Sequence, residues 1–174
     1  MRFSISRWAR LWAFSLLLVC AAGATSVIPL SFDELVDGSE SIVSGEVTRS
    51  WADWDAEHKF IWTHYEVAVS AVHKGKPGTT VVVSEVGGVV GDRAMTVAGT
   101  VAYQAGEKVM IFLTRVPNGY LRTTGWSQGK YGVDDKGTLR AGSSLRAGTS
   151  IASLEGMSTA EVHALVAARS GRTR

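Results

Sequence analysis

From Phe60 to Val83 the chain reads FIWTHYEVAVSAVHKGKPGTTVVV, a long alternating stretch, a break and then a β-branched run. Ile61, Thr63, Tyr65, Val67, Val69 and Ala71 fall on one parity; Trp62, His64, Glu66, Ala68 and Ser70 fall on the other. That period of two predicts a long half-buried strand with Tyr65, Val67 and Val69 in the core and the Trp62 and His64 face open to solvent. Lys74-Gly75-Lys76-Pro77-Gly78 predicts a turn, and Thr79 to Val86 a second strand. Upstream, Ser41 to Trp51 predicts a strand that Gly45 interrupts with a bulge or tight bend, joined to the long strand by the polar tip Ala52 to Lys59.

Further along, Gly87 to Asp92 reads as a turn or loop and Ala94 to Ala98 as a short strand. Lys108 to Thr114 (KVMIFLT) is nearly continuous in apolar residues, the mark of a strand buried on both faces. Asn118-Gly119 predicts a tight hairpin into Tyr120 to Thr124. Asp134 to Gly137 predicts another, between Lys130 to Val133 and Thr138 to Arg140. Two capping boxes, Ser31 with Glu34 and Ser158 with Glu161, predict a short early helix and a terminal helix with the stripe Val162, Leu165 and Val166. The expected fold is mainly β: an OB-like antiparallel barrel of about six to eight strands, flanked by a short N-terminal helix and a C-terminal helix. Expected boundaries are a barrel over 25–140, a Gly/Ser-rich loop over 141–157, a helix over 158–169 and a frayed tail over 170–174.

Composition adds a compartment. Basic residues precede the apolar run Leu11 to Val19, and Ala22-Gly23-Ala24 supplies small residues for cleavage, so residues 1–24 read as a secretory signal peptide. The run is short for a membrane anchor. Cys20, the only cysteine, could carry a lipid, but Val19 is larger than the small residue that precedes a lipidated cysteine. Cleavage after Ala24 leaves an exported chain, periplasmic or secreted, with neither a disulfide nor a thiol. With Arg2, Arg7 and Arg10 gone, the 18 basic residues fall to 15 against 16 acidic ones, a balance that points to neither nucleic acid nor an anionic membrane.

Catalytic and metal motifs are sparse. No two of His58, His64, His73 and His163 have the spacing of a zinc helix, and no cysteine assists. His64 with Glu66 would be a weak acid–base or metal pair lacking a third group. Asp53, Asp55 and Glu57 alternate as in a calcium loop, but His58 and His64 stand where such a loop needs glycine and glutamate. Gly87, Gly88 and Gly91 lack the Lys-Ser or Lys-Thr and the helix of a phosphate loop. No serine lies in a nucleophile elbow. The expectation is therefore a non-enzymatic domain without cofactor or metal. Four tryptophans remain after cleavage. Trp51, Trp54 and Trp62 around one hairpin, with His64, are the candidate stacking surface for a sugar or a partner's side chains. Cross-strand packing of the same rings is the structural alternative.

The helical lead before Ser41-Ile42-Val43-Ser44-Gly45-Glu46-Val47, then Tyr65-Glu66-Val67 running to His73-Lys74-Gly75, then Ala98-Gly99 to Gly106-Glu107 before Val109 to Leu113, resembles a netrin-like domain of the kind found in tissue inhibitors of metalloproteinases. The chain is also similar to short exported bacterial proteins of unknown role that share a Gly-Gly-x-x-Gly loop and a late Gln-Gly-Lys-Tyr, here Gln128 to Tyr131. The resemblance implies an OB-type barrel, and the expected function is binding of a protein or glycan of the cell envelope or its surroundings through the Trp51 to Trp62 hairpin. It also implies a lesser alternative, metalloprotease inhibition through a mature N-terminus at Thr25 and Ser26. In that family the terminus is a disulfide-pinned cysteine; here Thr25 and Val27 stand at the two cysteine positions, so preorganisation is lost.

Overall fold

The computed structural model describes residues 28–141 and 154–172. The expected signal peptide, Cys20, Thr25, Ser26 and most of the Gly/Ser-rich loop lie outside them. The elements are α1 (Phe32–Asp37), β1 (Ser41–Trp54), β2 (Ile61–Lys74), β3 (Thr80–Val86), β4 (Gly88–Val90), β5 (Arg93–Met95), β6 (Lys108–Arg115), β7 (Leu121–Thr123), a 3-10 turn (Trp126–Gly129), β8 (Lys130–Val133), β9 (Leu139–Ala141) and α2 (Thr159–Arg172).

Both helices begin at the capping boxes. The Ser31 hydroxyl accepts from the Glu34 amide at 3.3 Å, and the Glu34 carboxylate accepts from the Ser31 amide at 2.7 Å. Those bonds hold the Glu34 carboxyl below its usual range. Ser158 and Glu161 repeat the exchange at 3.2 and 2.7 Å. In each case two amide donors that the first turn leaves over are satisfied locally.

The chain is mainly β, with seven strands in one sheet ordered β1-β2-β3-β7-β6-β8-β9 and a two-stranded sheet of β4 and β5. β6 also pairs with β1, from Ser41↔Leu113 to Glu46↔Lys108, so the neighbours β1-β2-β3-β7-β6 return to β1. The expected closed barrel is nevertheless open at one seam. β3 and β7 run parallel and share a single pair, Val83↔Leu121. Val43, Val47, Tyr65, Val67, Val83, Ile111 and Leu113 fill the interior. On the other side of β6, Phe112, Met110 and Ile42 pack with Leu35 and Val36 of α1 and with Val162 and Val166 of α2. β6 is thus buried on both faces, as its unbroken apolar run requires.

Gly45 sits at a register shift between Ser44 and Gly45, and a Cβ there would collide with the Ala68 carbonyl oxygen and stand 2.8 Å from Val67 Cγ1. The bend lets β1 pair with β2 and β6 together. Five expectations change. Gly88–Val90, expected in a loop, pairs with Arg93–Met95, and the strand expected at Ala94 to Ala98 is confined to that hairpin. Left-handed Gly91, at φ 60°, makes so tight a turn possible. The described end of the expected loop is tied down: Leu154 is buried, and Leu139 donates to the Met157 carbonyl at 2.8 Å. Leu165 is exposed while Val162 and Val166 carry the packing. The helix runs through the expected frayed tail to Arg172, because Arg169 pairs with Asp33 and Asp37 and anchors the last turn to α1.

Candidate functional site

The register sets out the outer face of β1, β2 and β3 in rows. Trp51 faces His64, which faces Ser84; the next row holds Asp53, Trp62 and Val86. This is the parity expected to be open to solvent, yet Trp62 is 9% and His64 8% exposed. The turn after β6 folds over them. Val116 donates to and accepts from that turn at Tyr120 and Gly119, and Tyr120 lays its ring edge-on to Trp62 and His64 at 5.1 and 5.3 Å. Of the four candidate residues, Trp51 is exposed at 38%, Trp54 is half-buried against His58, and Trp62 and His64 are inside. The continuous stacking surface expected of the tryptophans is broken for that reason. Arg49 also lies 4.7 Å over the Trp51 ring. Thr25 and Ser26 lie outside the described residues.

The other motif residues are engaged locally. Glu66 binds Arg49 at 2.9 Å and Thr48 at 3.0 Å, so the pairing with His64 does not form. Asp55 accepts from the Lys59 amide at 2.7 Å, and Glu57 pairs with Lys59 at 2.6 Å. These acids lock a turn. Among the described residues no group of three or more His, Cys, Asp and Glu converges.

Residues the sequence did not single out surround His64. Its Nδ1 lies 2.8 Å from the Ser84 hydroxyl. Burial pushes the imidazole below its ordinary value, against the charge of Asp53, which raises it. A neutral ring therefore floors a cleft of about 590 Å³ that also takes in Lys76, Val82, Arg115, Tyr120 and Leu121. Arg115 grips Glu40 through two bonds of 3.0 and 2.8 Å and donates to the Gly119 carbonyl at 2.8 Å, fixing the turn that forms one wall. The same bonds hold the Glu40 carboxyl below its usual range. Lys76 at the rim has no ion pair among the described residues, so the rim is positive.

This cleft is the open seam. Thr80, Val81 and Val82 pair with Ala68, Val67 and Glu66 on β2 and have no strand on their other side among the described residues. Beyond Val83 the seam is held by side chains. Glu85, fully buried on β3, accepts from the Thr123 amide of β7 at 2.8 Å and from Arg122 Nη2 at 3.1 Å. Arg122 in turn lies over Trp62 and Trp126 at 5.6 and 4.7 Å. The Tyr103 hydroxyl meets Thr123 Oγ1 at 2.5 Å, and burial pushes that phenol well above its ordinary value. One end of the seam is stapled and the other is free.

The Ser84–His64 contact brings a hydroxyl and an imidazole together at the floor of the cleft, where Ser84 is 2% exposed. Its evident effect is to satisfy two buried polar groups. No described helix is long and apolar enough to cross a membrane. No protein-family model, curated protein or solved structure matches the chain.

Proposed function

We propose that the chain is a non-enzymatic binding domain of the OB type, exported after loss of residues 1–24, that takes an extended segment of a protein partner into the cleft between β3 and β7. The strand order supports the OB reading, since a five-stranded Greek-key barrel left partly open has these neighbours. The observation that carries the binding proposal is the free edge Thr80 to Val82 in an open cleft. Backbone amides and carbonyls there have no ladder on the seam side, and an added strand satisfies them while alternate side chains find Val82 and the Tyr120 wall. Lys76 favours an acidic group at one end of that segment. A peptide suits the site better than a glycan, because Arg49 already covers Trp51 and Tyr120 covers Trp62.

Panning a random peptide library on the purified domain, followed by amide shift mapping, tests this. Bound peptides should shift Thr80 to Val82 and Gly119 to Leu121, and Lys76→Glu should weaken the acidic ones. A library without binders, or shifts confined to the Trp51 to Trp54 end of β1, would sink the proposal.

A further inference from the structure

Away from the cleft, β2 ends beside α2. There His73 Nδ1 lies 3.2 Å from His163 Nδ1, across 90 positions of sequence. The rings are 5.3 Å apart and inclined by 60°, so they do not stack. The two Nδ1 atoms face each other at hydrogen-bonding distance. The far nitrogen of His73, Nε2, is 2.8 Å from the hydroxyl of buried Ser44. That bond fixes the ring with Nδ1 directed at the helix.

We infer that His73 and His163 form a two-imidazole site for a borderline transition-metal ion such as Zn²⁺, with water completing the coordination. Two nitrogens bound at about 2.0–2.1 Å to a tetrahedral zinc stand about 3.3 Å apart, which is the spacing found. Neutral imidazole suits Zn²⁺, Cu²⁺ and Ni²⁺ rather than the oxygen-seeking Ca²⁺ or Mg²⁺. Ser44 supplies the outer contact that metal-bound histidines ordinarily have: with the metal on Nδ1, the Nε2–H donates to the hydroxyl and keeps the ring aimed. Both rings are neutral before and after, each carrying its proton on Nε2 when metal is bound, so no net proton is released near neutrality. The bound ion would join α2 to the end of β2, beside the apolar packing of Val162 and Val166.

The full purified chain, stripped with chelator, is titrated with Zn²⁺ against a competing indicator and melted with and without the ion. One equivalent should bind and raise the melting temperature. His163→Ala, at an exposed helix position that leaves folding intact by circular dichroism, should abolish the rise and weaken binding at least about tenfold. Ser44→Ala should weaken binding by about tenfold at unchanged stoichiometry. His58→Ala should change neither. Absence of zinc binding by the wild-type chain overturns the inference, and so does an affinity that His163→Ala leaves unaltered.

Discussion

Arg122→Ala should unfold the seam from within. Glu85 is fully buried, and its partners are the Arg122 guanidinium and the Thr123 amide. Truncating the arginine leaves a carboxylate in the interior with one neutral donor, and breaking such a pair costs about 3 to 5 kcal/mol. The Arg122 side chain retains 18% of its exposure, so some of its charge was already solvated and the lower end, about 3 kcal/mol, applies. Glu85→Gln keeps an acceptor for the Thr123 amide and strands a cation that can turn toward water, so its cost should be nearer 1 kcal/mol, that of an ordinary hydrogen bond. If the penalty is a stranded charge, adding Glu85→Gln to Arg122→Ala should restore stability even though it removes a further native group. Urea unfolding of the four proteins, with slopes compared to check that each unfolds as one unit, gives the cycle. The reasoning is refuted if Arg122→Ala lies within about 1 kcal/mol of wild type, the worth of one ordinary hydrogen bond, or if the double variant is no more stable than the single one.

Gly45→Ala should cost about 2 to 3 kcal/mol, read by thermal melting, because its methyl meets the Ala68 carbonyl and forces β1 off β2. Val162→Ala should cost about 2 kcal/mol and hasten amide exchange in α2 ahead of the sheet. His64 gives stability a pH dependence. Burial holds its folded value below the ordinary 6.5, so the unfolded chain binds the proton first. Its contribution is complete above the ordinary value and is lost as pH falls through the folded one. Melting temperatures measured downward from pH 7.5 should decline less steeply for His64→Gln, and an unchanged slope would contradict the assignment. Tyr120→Ala should uncover the ring and move its titration, followed by NMR, back toward the ordinary value.

Local chemistry was legible wherever neighbours in sequence are neighbours in space. Ser31 with Glu34, Ser158 with Glu161, the Asn118-Gly119 turn and the bend at Gly45 all act within a few residues or announce themselves by glycine. The outer face of β2 was misleading because alternation reports that two faces differ, not what covers each. Tyr120, arriving from a hairpin more than fifty positions later, turned the Trp62 and His64 face into a second interior. Ser84 and Glu85 carried a faint signal, two polar residues inside a β-branched run, though nothing nearby indicated their partners. His73 and His163 carried none, since their meeting depends on how α2 docks. The strand pair β4–β5 was hidden by its length of three residues each, too short for any period to show.

The clamp between Arg169 and the α1 acids has a consequence for the order in which the fold can be completed. Asp33 and Asp37 stand near the start of the described chain and Arg169 near its end, with Leu35, Val36 and Phe112 roofed by Val162 and Val166 between them. Contacts of that sequence separation are closed late, after the intervening loop entropy has been overcome. A nascent chain lacking its last fifteen or so residues, about one α2 helix, therefore presents an unroofed apolar floor rather than a finished domain. Completion waits on α2, and the floor beneath it stays pliable until that helix docks.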